Sequence, residues 1–327
     1  MSKARKALLR VEHLHKDFPD ESRKFWKQDH KMVRAVDDVS FHIDQGETLA
    51  VVGESGCGKT TLARSILQIC KPTAGKIYFD DVELTNLPAK NLRQQRSRMQ
   101  MIFQNPTNSL NPRMHINEII AEGMQIQGKL NQSAIQQLVD DLLEKVQLHS
   151  SIKDRYPHEF SSGQRQRIGI ARALSMNPQL IICDEPISAL DISIQAQMIN
   201  LLIQLQNQHD LTYLYITHDL AMVQYISNRV AVMYMGKFVE MGNTSTIFAD
   251  PIHPYTQALL STMLPSEFSS NKHIGMIAII GEKPDREELS HGCRFAQQCP
   301  IAMQKCFANE PEYQRFDDDH FVACHRI

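Results

Sequence analysis

The sequence predicts an α/β protein with a mostly parallel sheet, an inserted helical subdomain and a small C-terminal extension. Three short apolar runs, at residues 48–53, 179–185 and 211–219, are nearly continuous, as strands buried on both faces usually are. Helical stretches lie between them, and this alternation is typical of parallel strands covered by helices. A polar, helix-rich region at about residues 106–174 interrupts the alternation, and we expect the inserted subdomain there.

The composition is that of an ordinary globular protein. The chain has 327 residues, of which 42% are hydrophobic and 22% charged, with a formal net charge of -2. This length favours two units, and the small net charge gives no basic field to attract nucleic acid. No apolar run approaches the ~20 residues of a spanning helix, and the start "MSKARKALLRVEHL" lacks the apolar stretch of a secretory signal. We expect a cytosolic chain that binds no nucleic acid.

A change of composition near Asp250 marks a predicted domain boundary. The stretch "AVMYMGKFVEMG" predicts two strands that turn at Gly236, and the segment after it is rich in proline and turn residues. We therefore expect a main domain over residues 1–250 and a C-terminal domain over residues 251–327.

The stretch "GESGCGKTT" fits the phosphate-binding pattern G-x-x-x-x-G-K-[ST] and lies between a predicted strand and a predicted helix. In such a loop, backbone N–H groups surround the β-phosphate, a lysine reaches the β- and γ-oxygens, and the helix N-terminus favours anions. Lys59 would be that lysine, and the Thr60 hydroxyl is a candidate Mg²⁺ ligand. The phosphate loop, as we name it, consists of the candidate nucleotide-binding residues Gly53, Glu54, Ser55, Gly56, Cys57, Gly58, Lys59, Thr60 and Thr61.

Two adjacent carboxylates end the second apolar run, in "LIICDE". Since successive side chains of a strand point to opposite faces, one carboxylate can bind a metal ion while the other faces an attacking water. We expect Asp184 to hold Mg²⁺, directly or through water, and Glu185 to orient or deprotonate the water.

The phosphate loop is followed, in this order, by Gln104 in "MIFQNP", by "SSGQ", by "CDEPISALD" and by "YITHD". In the order and spacing of these motifs, the chain resembles the ATP-binding cassette (ABC) family over roughly residues 8–250. The resemblance implies a P-loop NTPase fold, in which a mixed sheet core carries an N-terminal antiparallel part and an inserted helical subdomain. It also implies an ATPase that binds ATP and Mg²⁺.

Three further residues acquire roles through this resemblance. Gln104 looks like the glutamine that senses Mg²⁺ and the attacking water and moves with the helical subdomain. His218 looks like the histidine that contacts the γ-phosphate and holds the catalytic geometry. Asp191 closes the loop after the two acids and would lie across the interface of a cassette dimer.

An aromatic residue that stacks on adenine is also implied, and Phe18 looks like that residue. The charged stretch at residues 19–32 has no periodicity and predicts a long surface loop. Its two aromatic residues, Phe25 and Trp26, are alternative candidates for the adenine contact.

The turn Ser161–Gln164 opens a predicted helix that is rich in Gln and Arg, "SSGQRQRIGIARAL". In the ABC family this signature turn closes on the γ-phosphate bound by a partner cassette, so the resemblance implies a head-to-tail dimer. Ser161, Gly163 and Gln164 would supply hydroxyl, backbone N–H and side-chain contacts, helped by the positive end of the helix. Ser162 stands where the family usually has glycine, which permits φ > 0 or a close backbone approach. Full activity and a low-activity regulatory role both stay open for the site that this turn completes.

The stretch "HPYTQALL" and the cysteine-bearing tail are similar to the ATPases of dipeptide and oligopeptide importers. That resemblance implies a second, non-identical ATPase, two permease subunits and an extracytoplasmic substrate-binding protein as partners. It places the chain peripherally, through the permeases, on the cytoplasmic face of the inner cell membrane. The alternative is a soluble cassette acting on ribosomes or DNA, which would usually carry two fused cassettes or a long heptad insertion; the sequence has neither.

Four cysteines crowd into the tail, as Cys293-x5-Cys299-x6-Cys306-x17-Cys324. Four thiolates can ligate a [4Fe–4S] cluster or Zn²⁺. The spacing by itself leaves a cluster, zinc and unmetallated thiols open, while the resemblance to peptide-importer ATPases implies the [4Fe–4S] cluster.

Overall fold

The computed structural model describes residues 6–19, 32–104, 109–262, 291–317 and 319–327. These residues fall into two compact units, each assembled from segments that are distant in sequence. Unit 1 contains the described parts of 1–6, 43–48 and 87–217. Unit 2 contains the described parts of 7–42, 49–86 and 218–327.

Helices lie between the three buried strands that the sequence predicts at 48–53, 179–185 and 211–219. The strands are β1 (Ala7–Pro19), β2 (Met32–Asp44), β3 (Thr48–Val52), β4 (Ala74–Phe79), β5 (Val82–Glu83), β6 (Met99–Ile102), β7 (Leu180–Asp184), β8 (Thr212–Thr217), β9 (Arg229–Tyr234), β10 (Lys237–Asn243), β11 (Gln314–Asp317) and β12 (His320–Val322). The α-helices are α1 (Lys59–Ile66), α2 (Ala89–Ser97), α3 (Ile116–Gln127), α4 (Gln132–Lys145), α5 (Ser162–Leu174), α6 (Ile192–His209), α7 (Leu220–Ile226), α8 (Thr244–Ala249), α9 (Pro254–Ser261) and α10 (Gln304–Ala308).

The sheet of unit 1 is parallel, with the strand order β6-β7-β8. Every residue of β7 and β8 is buried, as the continuous apolar pattern predicts for strands covered on both faces. The strands predicted at 179–185 and 211–219 are confirmed, with ends that differ by one or two residues. Because parallel strands end at a common edge, β7 brings Asp184 to the carboxyl edge of this sheet.

Helices α3, α4 and α5 lie where the sequence predicts the inserted helical subdomain. The helix α3 buries an apolar stripe at three- and four-residue spacing, Ile116, Ile119, Ile120 and Met124. It ends at Gly128, whose left-handed φ of 64° is the usual C-terminal cap. The helix α4 begins at Asn131, whose side chain accepts a hydrogen bond from the N–H of Ala134.

Unit 2 contains two sheets. One has the strand order β2-β1-β4-β5, with β4 antiparallel to both of its neighbours, and forms the antiparallel N-terminal part that the ABC resemblance implies. The other has the order β3-β9-β10-β12-β11, in which β3 and β9 are parallel and the remaining pairs are antiparallel. The predicted hairpin is confirmed, since β9 and β10 turn at Gly236.

A buried carboxylate joins the second sheet of unit 2 to the start of α9. Glu240 on β10 is completely buried and accepts hydrogen bonds from the backbone N–H groups of Ile252, at 2.8 Å, and His253, at 3.0 Å. The Nε2 atom of His320 on β12 lies 2.8 Å from the same carboxylate. Because a buried carboxylate needs such partners, Glu240 fixes the chain where it leaves the hairpin region and enters α9.

His253 is expected to make unit 2 less stable in mild acid. Burial lowers the pKa of this imidazole to about 4, although the Glu240 carboxylate opposes the shift. A histidine with a depressed pKa in the folded state binds its proton more readily when unfolded, so its contribution to stability is lost as pH falls from about 6.5 towards 4. The full loss for this group is about 3 kcal/mol.

The variant His253→Asn tests this prediction. The Nδ1 atom of His253 caps α9 by accepting the N–H of Tyr255, and asparagine can cap a helix without titrating. As pH is lowered from about 7 to about 5, through the ordinary histidine pKa of about 6.5, the wild type should lose stability that the variant keeps. We therefore expect the melting temperature of the variant, relative to that of the wild type, to rise over this range. The matched control is His42→Asn, at an exposed position of β2, which should show no such gain. If the melting temperatures of all three proteins changed equally with pH, the prediction would be wrong.

One expectation falls on a part of the chain that the structure does not describe, and another is not tested. Residues 20–31 of the predicted surface loop, with Phe25 and Trp26, lie outside the described residues. The domain boundary near Asp250 stays a prediction.

Candidate active site

The phosphate loop connects β3 to α1, the strand–loop–helix context that its motif requires. Gly53 has a φ of 152°, and a Cβ at this position would lie 2.1 Å from the carbonyl oxygen of Met233. Only glycine fits so close to β9, and this approach fixes where the loop leaves the sheet. Ser55 and Gly56, at the tip, are exposed, whereas Cys57 is buried.

Lys59 is the first residue of α1 and is buried. Its Nζ atom donates hydrogen bonds to the carbonyl oxygens of Gly53, at 2.7 Å, and Glu54, at 2.9 Å. The ammonium group therefore lies inside the curve of the loop, within reach of an anion bound to the backbone N–H groups at this helix start. Thr60 and Thr61 follow it in the first turn of α1 and are partly exposed.

In unit 1 the structure brings together two of the predicted catalytic residues. The Nε2 atom of Gln104, two residues after β6, donates a hydrogen bond of 2.8 Å to the Oε2 atom of Glu185. Asp184, the last residue of β7, is buried, while Glu185 is partly exposed. A glutamine side chain thus orients the carboxylate that the sequence assigns to the attacking water.

The orientation of Glu185 has a cause that strand alternation does not supply. Glu185 follows the end of β7 and has a φ of 47°, in the left-handed region that non-glycine residues rarely adopt. Its backbone N–H donates to the carbonyl oxygen of Ile216 on β8 at 2.9 Å, which holds this conformation. Such backbone strain is concentrated at functional sites.

The signature turn begins α5 with a capping box. The backbone N–H of Ser161 donates to Oε1 of Gln164 at 3.0 Å, and the backbone N–H of Gln164 donates to Oγ of Ser161 at 3.3 Å. Ser162 is the first helical residue and is not among the residues with positive φ, so serine fits its backbone without strain. The close approach belongs to Gly163, where a Cβ would lie 2.9 Å from the side chain of Ile194 on α6.

The remaining candidates occupy exposed positions. Asp191 precedes α6 and is exposed, as are Ser161 and Gln164 in the same unit. In unit 2, His218 is exposed directly after β8. Phe18 lies near the end of β1 with 38% of its surface exposed, and the Nζ atom of Lys16 is 4.7 Å from its ring centroid. The roles of these residues stay predictions.

Two protein families match successive regions of the chain. "ABC transporter" matches residues 36–188, which include the phosphate loop, Gln104, the signature turn and both acids. "Oligopeptide/dipeptide transporter, C-terminal region" matches residues 239–306, which include three of the four tail cysteines.

Curated relatives match nearly the whole chain. The "Oligopeptide transport ATP-binding protein AppF" of Bacillus subtilis is 46% identical over 319 residues, which are 97% of this chain and 97% of the relative. The chain belongs to the family of ABC transporter ATP-binding proteins. The "Probable peptide ABC transporter ATP-binding protein y4tS" of Sinorhizobium fredii is 45% identical to this cassette over 320 residues, 98% of the chain and 90% of the relative.

Solved structures of cassettes share the fold. The cbiO1 structure from Clostridium perfringens, part of the ABC transporter complex cbiONQ, matches with a TM-score of 0.64 and 28% identity over 79% of this chain and 96% of that one. A dimeric structure of the cassette MJ0796, bound to ADP and Pi, matches with a TM-score of 0.63 and 25% identity over 72% of this chain and 98% of that one. The predicted ABC fold is confirmed, and the cassette is an ATP-hydrolysing enzyme.

A buried ion-pair network beside the phosphate loop has no counterpart in the sequence analysis. Asp37 on β2 is buried and pairs with the Arg294 guanidinium and, at 3.8 Å, with the Lys237 ammonium. Burial alone would raise the pKa of this carboxyl, but the charges of Arg294 and Lys237 hold it below its usual range. The backbone N–H of Asp37 donates to the oxygen of Gly236, whose own N–H donates to the oxygen of Cys57 in the phosphate loop. The ion-pair network is thus connected through Gly236 to Cys57 and supports the backbone of the phosphate loop.

The four tail cysteines line one small cavity of about 20 Å³ in unit 2, together with His253 and Phe295. Burial raises the pKa of the Cys293 thiol to about 12 and also raises the pKa values of Cys299 and Cys324. Within the part of the chain that the structure describes, no group of three or more His, Cys, Asp or Glu side chains is arranged to hold a single metal ion.

Proposed function

We propose that this cassette is the ATP-hydrolysing subunit of a membrane importer for peptides. Support comes from the match of residues 239–306 to a C-terminal region of oligopeptide/dipeptide transporters and from relatives whose names state peptide transport. Cassettes of many transporters share the nucleotide-binding half, so the C-terminal match is the observation that carries the peptide assignment. The nucleotide-binding residues are equally compatible with dipeptides, longer peptides, haem or a metal chelate, because the transported molecule contacts other subunits.

The catalytic residues act on ATP in separate roles. The Lys59 ammonium binds β- and γ-phosphate oxygens, and the backbone of the phosphate loop supplies N–H donors. Glu185 orients or deprotonates the attacking water, and the Gln104 amide holds its carboxylate at 2.8 Å. Mg²⁺ would neutralise charge on the phosphate oxygens, and Thr60, Gln104 and Asp184 would hold it. His218 contacts the γ-phosphate, and Phe18 stacks on adenine.

A second cassette completes each site in this proposal. The signature turn offers the Ser161 hydroxyl, the Gly163 N–H and the Gln164 side chain to the γ-phosphate bound by a partner, and the N-terminus of α5 adds its positive end. Exposure of Ser161, Gln164, Asp191 and Ile192, the last 81% exposed, supports a partner surface in this unit. We infer that the partner is a non-identical ATPase, as in the importers that the tail resembles.

The complete assembly contains two permease subunits and an extracytoplasmic substrate-binding protein. No helix in the described part of the chain is long and apolar enough to cross a membrane. We propose that the permeases hold the cassette peripherally at the cytoplasmic face of the inner membrane. In the division that we propose, residues 1–250 form the nucleotide-binding domain and residues 251–327 the C-terminal domain.

Copurification from gently extracted membranes of the native cell tests the assembly. We expect a tagged chain to recover two permease proteins and a second ATPase of different sequence. Recovery from the soluble fraction with ribosomes, DNA or no partner would overturn the transport assignment and leave only the ATPase. Recovery of permeases with this chain as the sole ATPase would retain the importer and reject the heterodimer.

The tail cysteines fit a [4Fe–4S] cluster by donor type. A single Zn²⁺ needs sulfurs at about 2.3 Å from one centre, and the described thiols have no such arrangement. All four nevertheless line one cavity, as ligands of one cluster must. We propose that the cluster is held by Cys293, Cys299, Cys306 and Cys324. The cavity of about 20 Å³ has room for roughly one water molecule. The thiols must therefore move apart when the cluster binds. The cluster would cross-link the C-terminal segment.

Metal analysis of anaerobically purified protein tests the cluster. We expect iron and acid-labile sulfide in equal amounts, with visible absorbance that Cys299→Ser largely removes because one of four ligands is lost. Cys70→Ser, which changes a cysteine of the nucleotide-binding half, is the control and should keep the metal. Stoichiometric zinc without iron, or full iron content in Cys299→Ser, would reject the assignment.

A further inference from the structure

Tyr255, near the start of α9, directly contacts the phosphate loop. Its side chain is completely buried, and its hydroxyl oxygen accepts a hydrogen bond of 3.1 Å from the backbone N–H of Glu54. The carbonyl oxygen of Glu54 accepts from Lys59 at 2.9 Å. The same loop residue is therefore held through its N–H by Tyr255 and through its carbonyl by the phosphate-binding lysine.

The start of α9 fixes Tyr255 from its own side. Pro254 occupies the first helical turn, and the Nδ1 atom of His253 accepts the N–H of Tyr255 at 3.1 Å. The N–H of His253 donates in turn to Glu240, the completely buried carboxylate of β10. The tyrosine ring thus projects from a capped helix whose first residues have defined partners.

An aromatic cluster, which we define as Tyr234, Tyr255 and Phe295, packs behind this contact. The Tyr255 ring centroid lies 4.6 Å from that of Tyr234 and 5.5 Å from that of Phe295. Tyr234 and Phe295 meet edge to face, at 5.4 Å and 84°. All three side chains are buried, so the ring of Tyr255 has little freedom to move away from Glu54.

The aromatic cluster includes a part of the cysteine-bearing segment. Phe295 follows Cys293 by two residues, and the Tyr234 hydroxyl donates a 2.7 Å hydrogen bond to Oε1 of Gln298, the residue before Cys299. Cys293 and Cys299 themselves pack against the core that contains the aromatic cluster. The segment between these two cysteines therefore forms the wall against which Tyr255 rests.

We propose that Tyr255 is a positioning residue for the phosphate loop, and that its hydroxyl, held in place by ring packing in the aromatic cluster, sets the affinity of the cassette for ATP. The inference rests on the proposed role of the phosphate loop in ATP binding. It concerns contacts within unit 2 and is independent of the transported substrate. The buried Tyr255 side chain acts by holding the Glu54 peptide in the curve that presents N–H donors to the β-phosphate.

Tyr255→Phe removes the hydroxyl and keeps the ring. We expect the Kd for Mg-ATP of the full-length chain to rise about three- to tenfold, the effect of losing one hydrogen bond of ~1 kcal/mol. In the assembled complex the KM for ATP should rise by the same factor, with kcat nearly unchanged, because the catalytic groups are intact. Amide hydrogen exchange at Glu54 should become faster than in the wild type.

Tyr234→Phe is the matched control. It removes a hydroxyl from the same aromatic cluster, but that hydroxyl bonds to Gln298 and not to the phosphate loop. We expect a comparable loss of thermal stability with an unchanged Kd for Mg-ATP. Equal Kd values for both variants and the wild type, or equal weakening by both variants, would overturn the proposal. If Tyr255→Phe does not fold, exchange in the wild type decides, because a Glu54 amide that exchanges at the unprotected rate is not held by Tyr255.

Failure of this inference and failure of the proposed function give different results. Binding of Mg-ATP and exchange at Glu54 are measured on the chain alone, without permeases. A chain that recovers no permease but weakens ATP binding in Tyr255→Phe retains the inference and loses the importer. A chain that recovers the permeases but binds ATP equally well in Tyr255→Phe loses only the inference.

Discussion

Glu185→Gln is expected to leave ATP bound and to slow its hydrolysis by roughly 10²–10⁴-fold, the usual effect of removing a general base. Glutamine has the same shape as glutamate, and it can still accept the hydrogen bond that the Gln104 amide donates at 2.8 Å. It cannot take the proton of the attacking water at neutral pH. We therefore expect the variant assembly to accumulate as an ATP-bound cassette dimer.

The measurement for Glu185→Gln is single-turnover hydrolysis of Mg-ATP in the assembled complex, together with the Kd for Mg-ATP. The control is Glu144→Gln, which changes an exposed acid on α4 of the same unit and should hydrolyse ATP at the wild-type rate. Wild-type turnover in Glu185→Gln would show that another group positions the water. Equal loss of ATP binding and turnover would indicate a structural role for Glu185, since a general base acts on kcat.

The orientation of Glu185 shows where sequence reasoning reaches its limit. A continuous apolar run followed by two carboxylates predicts a buried strand that ends in both acids, and the structure ends β7 at Asp184, with Glu185 directly after it. Strand alternation predicts only that the two side chains diverge. The structure gives Glu185 a left-handed φ of 47°. A glutamate at this position does not predict that conformation.

Local motifs and distant contacts differ in how far the sequence predicts them. The phosphate loop and the signature turn that begins α5 lie within nine or fewer consecutive residues, so their residue types and spacing reveal them. The Tyr255 contact with Glu54 joins residues 201 positions apart, and the Arg294 pair with Asp37 joins residues 257 positions apart. A tyrosine in a helix and an arginine beside a cysteine have many possible partners, and only the fold selects one.

Lys59→Ala is expected to abolish both tight ATP binding and turnover, with a loss of turnover of at least roughly 10²–10³-fold, as for other charge stabilisers of phosphoryl transfer. Lys59 is a buried cation, and its Nζ atom lies within hydrogen-bond distance of two carbonyl oxygens of the phosphate loop. Alanine removes the charge that we propose faces the β- and γ-phosphates, and it also removes the hydrogen bonds that Lys59 donates to the carbonyls of Gly53 and Glu54. The loop then loses both the cation that pairs with bound phosphate and the hydrogen bonds that help to keep it curved.

Equilibrium binding of Mg-ATP to the full-length chain distinguishes this effect from that of Glu185→Gln. Lys59→Ala should fail at binding, whereas Glu185→Gln should bind ATP and fail at chemistry, because the proposed roles place Lys59 on the phosphates and Glu185 on the water. Lys71→Ala, which removes an exposed cation shortly after the same helix, should bind ATP as the wild type does. Normal ATP affinity in folded Lys59→Ala would mean that the backbone of the phosphate loop carries the binding by itself. Phosphate recognition would then depend chiefly on the supports of that backbone, Tyr255 and the Asp37 network among them.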